Sequence, residues 1–222
     1  MKHSLYLIAL VVVACAGVVP LVAQVSVGGT VYSHALSLSG DYPDDQTIST
    51  QLGYGIGAVV AYRIVPEVEF MIEPSFDLRR GRITETLRTS SSEAPYDTTL
   101  ATIRVSSLAL PIGVRIWSRT QTWVFTSGIM MRLATHGTRK AGGGQETSLE
   151  RDLATVEVGL YLGAGYRFNI GELSVLPEIR YEQGISNVLR GTSVQGLPPA
   201  PIMRTNGFGL RVACQYTLGG GQ

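Results

Sequence analysis

Charged side chains recur at every second position in several stretches of this sequence, a spacing that could serve ion pairing, metal binding or acid–base chemistry. Glu69, Glu73, Asp77 and Arg79 share one parity of a single stretch, and Glu178, Arg180 and Glu182 share one parity of another. Arg63, Arg115, Arg132, Glu157, Arg167 and Arg211 each stand alone between apolar or aromatic neighbours. Period two puts alternate residues on one face of a β-strand. The signs on that face nearly cancel, and an isolated buried charge costs several kcal/mol. The set therefore reads as a buried ion-pair network with a structural role.

Other chemistry has weaker support. His34, with Ser33 or Ser37, and His136, with Glu157, could form pairs able to modify lipids. Such pairs need contacts near ~2.6–3.2 Å, and rim histidines are commoner than catalytic ones, so no enzyme is expected. Asp44-Asp45 could contribute to a calcium loop, but hard cations need about six to eight oxygens, and solvated loop charge is the simpler reading. Gly53-Tyr54-Gly55-Ile56-Gly57 lacks the preceding strand and following helix of a dinucleotide loop, so its glycines are expected as small inward residues. No cofactor or metal is expected.

The elements that must position these charges are long strands. In residues 154–185, Val156, Val158, Leu160, Leu162, Ala164, Tyr166 and Phe168 alternate with Glu157, Gly159, Tyr161, Gly163, Gly165 and Arg167. A turn at Asn169-Ile170-Gly171 follows, and the alternation resumes through Tyr181. Soluble strands run about five to six residues, whereas a tilted membrane-spanning strand needs about nine to eleven. The same pattern marks strands near 25–38, 53–64, 68–79, 108–116, 123–133 and 208–218, with short turns at 65–67 and 118–121. Long polar loops are expected at 40–51, 80–99, 137–152 and 186–205.

The expected fold is all-β, an eight-stranded antiparallel transmembrane barrel of outer-membrane type, with both termini on the short-turn side. A small eight-stranded lumen is filled by side chains. A soluble lipocalin-like barrel, with charges outside and apolar residues inside, is the rival. Long arms, glycine-rich polar faces and an aromatic girdle at Trp117, Trp123, Tyr166, Phe168 and Tyr216 favour the membrane form. Interleaved Gly159, Gly163, Gly165 and Gly209 are expected to make room for arginine stems, and Arg139 is expected to be exposed.

Charged residues make up only 16% of the chain, net charge is +1, and glycines number 26. That balance offers no case for nucleic acid. Lys2 and the apolar run from Leu5 to Ala14 resemble a secretory signal, so residues 1–23 are assigned to a signal peptide and 24–222 to the barrel. Cleavage at Ala14-Cys15-Ala16, or lipidation of Cys15, are alternatives. With Cys15 removed, Cys214 is alone.

Three stretches carry a family resemblance: Ile72-Glu73-Pro74-Ser75-Phe76, Leu108-Ala109-Leu110-Pro111-Ile112 and Leu176-Pro177-Glu178-Ile179-Arg180-Tyr181. They resemble the PorT-like outer-membrane β-barrel proteins, a family with an OmpA/OmpX-like eight-stranded barrel. The resemblance implies a bacterial outer-membrane protein in contact with lipid and with the barrel-assembly machinery. Some members serve protein secretion. Such barrels usually end on an aromatic residue, whereas here Tyr216-Thr217-Leu218 precedes Gly219-Gly220-Gly221-Gln222. Mid-strand proline removes a ladder donor, so Pro74, Pro111 and Pro177 are expected at bulges or bends. The implied role is structural or interaction-based, with another envelope protein or an extracellular ligand met by the loops. A part in envelope secretion or assembly, or in lipid modification, is the alternative.

Overall fold

A computed structural model describes residues 24–40, 46–87, 96–141, 144–148, 154, 156–187 and 203–218. The expected signal segment, Cys15, Asp44-Asp45 and the tail from Gly219 lie outside the described residues. The strands are β1 (Val25–Gly40), β2 (Gln46–Val65), β3 (Val68–Ile72), β4 (Ser75–Leu87), β5 (Tyr96–Trp117) and β6 (Trp123–Ala141). They continue with β7 (Glu146–Ser148), β8 (Val156–Tyr166), β9 (Phe168–Ile170), β10 (Leu173–Gly184) and β11 (Met203–Leu218).

These eleven segments make eight staves. β3 and β4 are one stave opened at Glu73-Pro74, because both pair with β2 and with β5. β7, β8 and β9 likewise make one stave, lying between β6 and β10. All pairings are antiparallel, and β1 against β11 closes the ring, from Val25↔Leu218 to Gly40↔Met203. Closure removes the free edges that an open sheet would expose.

The strands outrun the sequence expectation. β5 has 22 residues and β2 has 20, about twice what a bilayer crossing needs. Residues 46–51, 80–87, 96–99, 137–141, 146–148 and 203–205, expected in loops, belong to strands. Composition misled there, because polar positions on a strand standing clear of lipid keep the ladder while losing apolar alternation. The last short turn also moves, to Gly171-Glu172, with Gly171 at φ 62°. A left-handed φ suits glycine, which has no Cβ to clash.

Of the bulge or bend expected at Pro74, Pro111 and Pro177, no bulge is present, although the strand is interrupted at Glu73-Pro74. Ile72↔Ile112 and Ser75↔Ala109 keep one register across Pro74 and Pro111. The register also holds through Pro177↔Val212. Proline lacks a donor but keeps its acceptor, and the amides of Ala58 and Glu73 donate to the carbonyls of Pro74 and Pro111 at 2.9 Å each. The register shifts lie elsewhere, between Gln51 and Tyr54, Arg63 and Val65, Ile83 and Thr84, and Ser106 and Ser107.

The parity of the staves decides inside from outside. The outer face is apolar and continuous: Val31, Ile56, Phe76, Leu108, Leu133 and Val156 are register partners in succession round six staves, and all six are exposed. The charges point inward, which excludes the lipocalin arrangement. Trp123, Tyr166 and Phe168 stack outside at the short-turn end, with ring centroids 5.0 and 4.8 Å apart. Trp117 is not part of that girdle. It is 3% exposed, inside the barrel, because its parity is that of Arg115.

Candidate functional site

The lumen is the site that the sequence singled out, and three carboxylates on one stave divide it into levels. Glu69, Glu73 and Asp77 are four residues apart, about 13 Å along a strand, and each gathers arginines from other staves.

At the short-turn end, Glu69 Oε1 accepts from Arg63 Nη2 at 2.6 Å and from Arg63 Nε at 3.1 Å. Arg115 and Arg167 approach the same carboxylate at 3.7 Å. Arg167 lies 3.5 Å above the Trp117 ring, an orientation in which the cation faces the ring's negative surface. Arg63 also donates to Gln24 Oε1 at 3.1 Å and Gln121 Oε1 at 3.3 Å.

The middle level is a closed square. Glu73 receives Arg180 Nη1 at 3.0 Å and Arg211 Nη2, while Glu178 receives Arg180 Nε and Arg211 Nη1 at 3.0 Å each. Arg115 reaches Glu73 at 3.5 Å and donates to Gln215 Oε1 at 2.9 Å. Thr126 Oγ1 donates to Glu178 at 2.6 Å, and the Arg180 guanidinium stands 4.4 Å over the Tyr161 ring.

In the upper level, Arg132 Nε donates to Asp77 at 3.1 Å, and Arg132 also bonds Glu182 and approaches Glu157 at 3.6 Å. Arg79 donates to Glu157 at 2.5 Å and to Thr205 Oγ1 at 3.2 Å. His34 Nε2 lies 3.4 Å from Asp77 Oδ1.

The structure thus brings Arg63, Glu69, Glu73, Asp77, Arg115, Arg132, Glu157, Arg167, Glu178, Arg180, Glu182 and Arg211 into one interior, together with Arg79. Buried charges must be paired and hydrogen-bonded to survive desolvation, and the guanidinium fork suits such shared contacts. Apolar layers seal the gaps: Val59, Trp117, Val124, Leu176 and Ala213 in one cluster, and Ala61, Met71, Ala109, Met130 and Tyr161 in another. A cavity of about 20 Å³ beside Tyr32, His34 and Glu182 has room for about one water molecule.

Several expectations are corrected. The nearest neighbours of Gly159, Gly163, Gly165 and Gly209 are not arginine stems. A Cβ on Gly163 would collide with the Glu178 carboxylate and Thr126 Oγ1, and one on Gly165 would meet Pro177 O at 2.6 Å. Gly53 and Gly55 leave space for the rings of His34 and Tyr32. Ser33 Oγ donates to Gly53 O at 3.3 Å and does not engage His34. His136 is exposed, while Glu157 is buried against arginines. Arg139 is half-buried.

Residue types missed the roles of His34, Trp117 and Tyr161; alternation placed Tyr161 on the inward face, whereas Trp117 was expected in the girdle although it shares Arg115's parity. The His34–Asp77 contact passes over Gly53 of β2, the stave between β1 and β4, so it depends on the register of three staves, which alternation within one stave does not specify.

A closed eight-stave ring with charge inside and a lipid-compatible surface outside defines an outer-membrane-type β-barrel. The family model described as outer membrane protein beta-barrel domain matches residues 22–190. The chain belongs to that family and is a protein of the bacterial outer membrane. Among solved structures, it is similar to Neisserial surface protein A, with 11% identity over 86% of this chain and 97% of that one, at a TM-score of 0.46. It is also similar to Ail, the attachment invasion locus protein of Yersinia pestis, with 13% identity over 88% and 97%, at a TM-score of 0.41. The outer membrane protein AlkL is similar at 15% identity over 88% and 89%, at a TM-score of 0.38. A comparison with curated proteins returns no match.

Proposed function

We propose that this protein is a closed, non-enzymatic outer-membrane barrel that acts as a rigid scaffold for its extracellular loops, through which it meets another envelope protein or an extracellular ligand. The observation that supports this is the packed lumen. Among the described residues, seven arginines and six carboxylates are held against one another there, and the cavity beside Tyr32, His34 and Glu182 has room for about one water molecule. The His34–Asp77 pair supports a non-catalytic reading, because it sits inside that packing, away from lipid. Long strands that outrun the bilayer would hold the loops clear of the lipid surface.

A second reading is a part in envelope secretion or assembly. It is favoured by the PorT-like stretches around Pro74, Pro111 and Pro177. Proximity labelling in intact envelopes, with the folded protein as bait, tests both. Labelling of a defined protein that is lost when the four long outer loops are shortened supports the scaffold role. Labelling of periplasmic secretion components that survives shortening favours the second.

A further inference from the structure

On three adjacent staves the outward face changes from apolar to basic after one bilayer crossing. On β3 and β4 the outward residues are Val68, Phe70, Ile72, Pro74, Phe76 and Leu78, followed by Arg80 and Arg82. On β5 the run goes from Ile116 back to Leu108, then Ser106, Arg104 and Thr102. On β6 it goes from Trp123 to Leu133, then His136, Thr138 and Lys140. The apolar runs match the nine to eleven or so residues of a transmembrane strand. The first basic positions therefore fall at the headgroup level of the outer leaflet, since the short turns lie on the periplasmic side.

The register concentrates the charge. Arg80 stands directly opposite Arg104, Leu78 opposite Ser106, and Thr102 opposite both Arg82 and Lys140. Like charges directly opposite in a sheet repel, and neighbouring strands are only about 4.8 Å apart. Arg80 is nevertheless fixed in place: its Nη2 donates to Tyr54 Oη at 2.7 Å, and its guanidinium is 5.3 Å from the Tyr54 ring centroid. Among the described residues, its buried Nε has no protein acceptor. The exposed Glu146, opposite Lys140, accepts from Thr138 Oγ1 at 2.6 Å.

We infer that Arg80 and Arg104, flanked by Arg82 and Lys140, form a binding site for the phosphate of an outer-leaflet lipid. An anion between the two guanidiniums would relieve their repulsion, and guanidinium forks bind phosphate oxygens in pairs. The apolar wall directly below, at Leu78, Phe76, Leu108 and Leu133, would take that lipid's acyl chains. Both parts of one amphiphile are matched, which a soluble anion would not require.

Native mass spectrometry of the folded protein in detergent, titrated with diphosphoryl lipid A and with its dephosphorylated form, tests this directly. Each basic residue near an anionic lipid surface is worth about a fivefold gain in affinity. The phosphorylated probe should bind wild type, and Arg80→Gln/Arg104→Gln should weaken it by about twenty-five-fold on the same reckoning. Arg119→Gln, at an exposed periplasmic turn, should leave it unchanged. Equal affinity of wild type for the two probes would overturn the site without recourse to any variant. Unchanged binding by the folded double variant would do the same. Complete displacement of the lipid by inorganic phosphate would point to a soluble anion and overturn the lipid assignment.

Discussion

Replacing Arg180 with leucine should destabilise the barrel more than any neutralisation on its outer surface. Arg180 is 5% exposed and bridges Glu73 and Glu178 with two charge-assisted bonds of 3.0 Å. Hydrogen bonds to charged groups are worth roughly 1.5–3 kcal/mol each, and breaking a buried pair by removing one partner costs about 3–5 kcal/mol. Arg211 still reaches both carboxylates, which places the expected loss at the lower end, about 3 kcal/mol. Arg119→Leu, at the exposed turn, should stay within about 0.5 kcal/mol. Adding Glu178→Leu to Arg180→Leu removes one stranded carboxylate and leaves Glu73 with Arg211. The double variant should therefore recover about 1–2 kcal/mol relative to the sum of the single changes. Urea unfolding in detergent micelles, followed by tryptophan fluorescence, reads all three. Equal midpoints for Arg180→Leu and Arg119→Leu, or strict additivity in the cycle, would refute the idea that lumen charges hold one another in place.

Leu160 points outward and is 48% exposed, so Leu160→Arg should cost about 2–4 kcal/mol if that position lies near the bilayer midplane, measured by refolding into lipid vesicles. Gly163→Leu should block folding or shift Glu178 out of the square, since even a Cβ there meets its carboxylate. The heat-modifiable gel band of the folded barrel reads this. Cys214 faces outward on β11 between Leu210 and Leu218. A charged, water-soluble maleimide should label it slowly in bilayers and rapidly after denaturation. Glu146→Cys in a Cys214→Ala background should label from outside intact cells, because β7 lies at the end opposite the short turns.

Much of this architecture is legible in the sequence because parity is a local property. The run from Val68 to Arg79 places Glu69, Glu73 and Asp77 inside with no knowledge of the neighbouring staves. Distances across the lumen are another matter. That Arg79 meets Glu157, and that Arg211 meets Glu73, depends on the ring's closure and shear. Strand ends were illegible for a related reason. Thr84 and Thr138 sit beyond the apolar band, where nothing forces alternation, yet their backbones still pair. The prolines misled because a missing donor reads as a broken register. At Pro74 and Pro111 the carbonyls keep their partners, and the ladder stays aligned.

Ionic conductance across a planar lipid bilayer containing the purified, folded protein tests the packed lumen most directly. The interlocked square of Glu73, Glu178, Arg180 and Arg211 predicts a silent membrane with no discrete current steps. Reproducible steps from the wild-type barrel, scaling with the amount of protein inserted, would show an open path through the lumen and contradict the account.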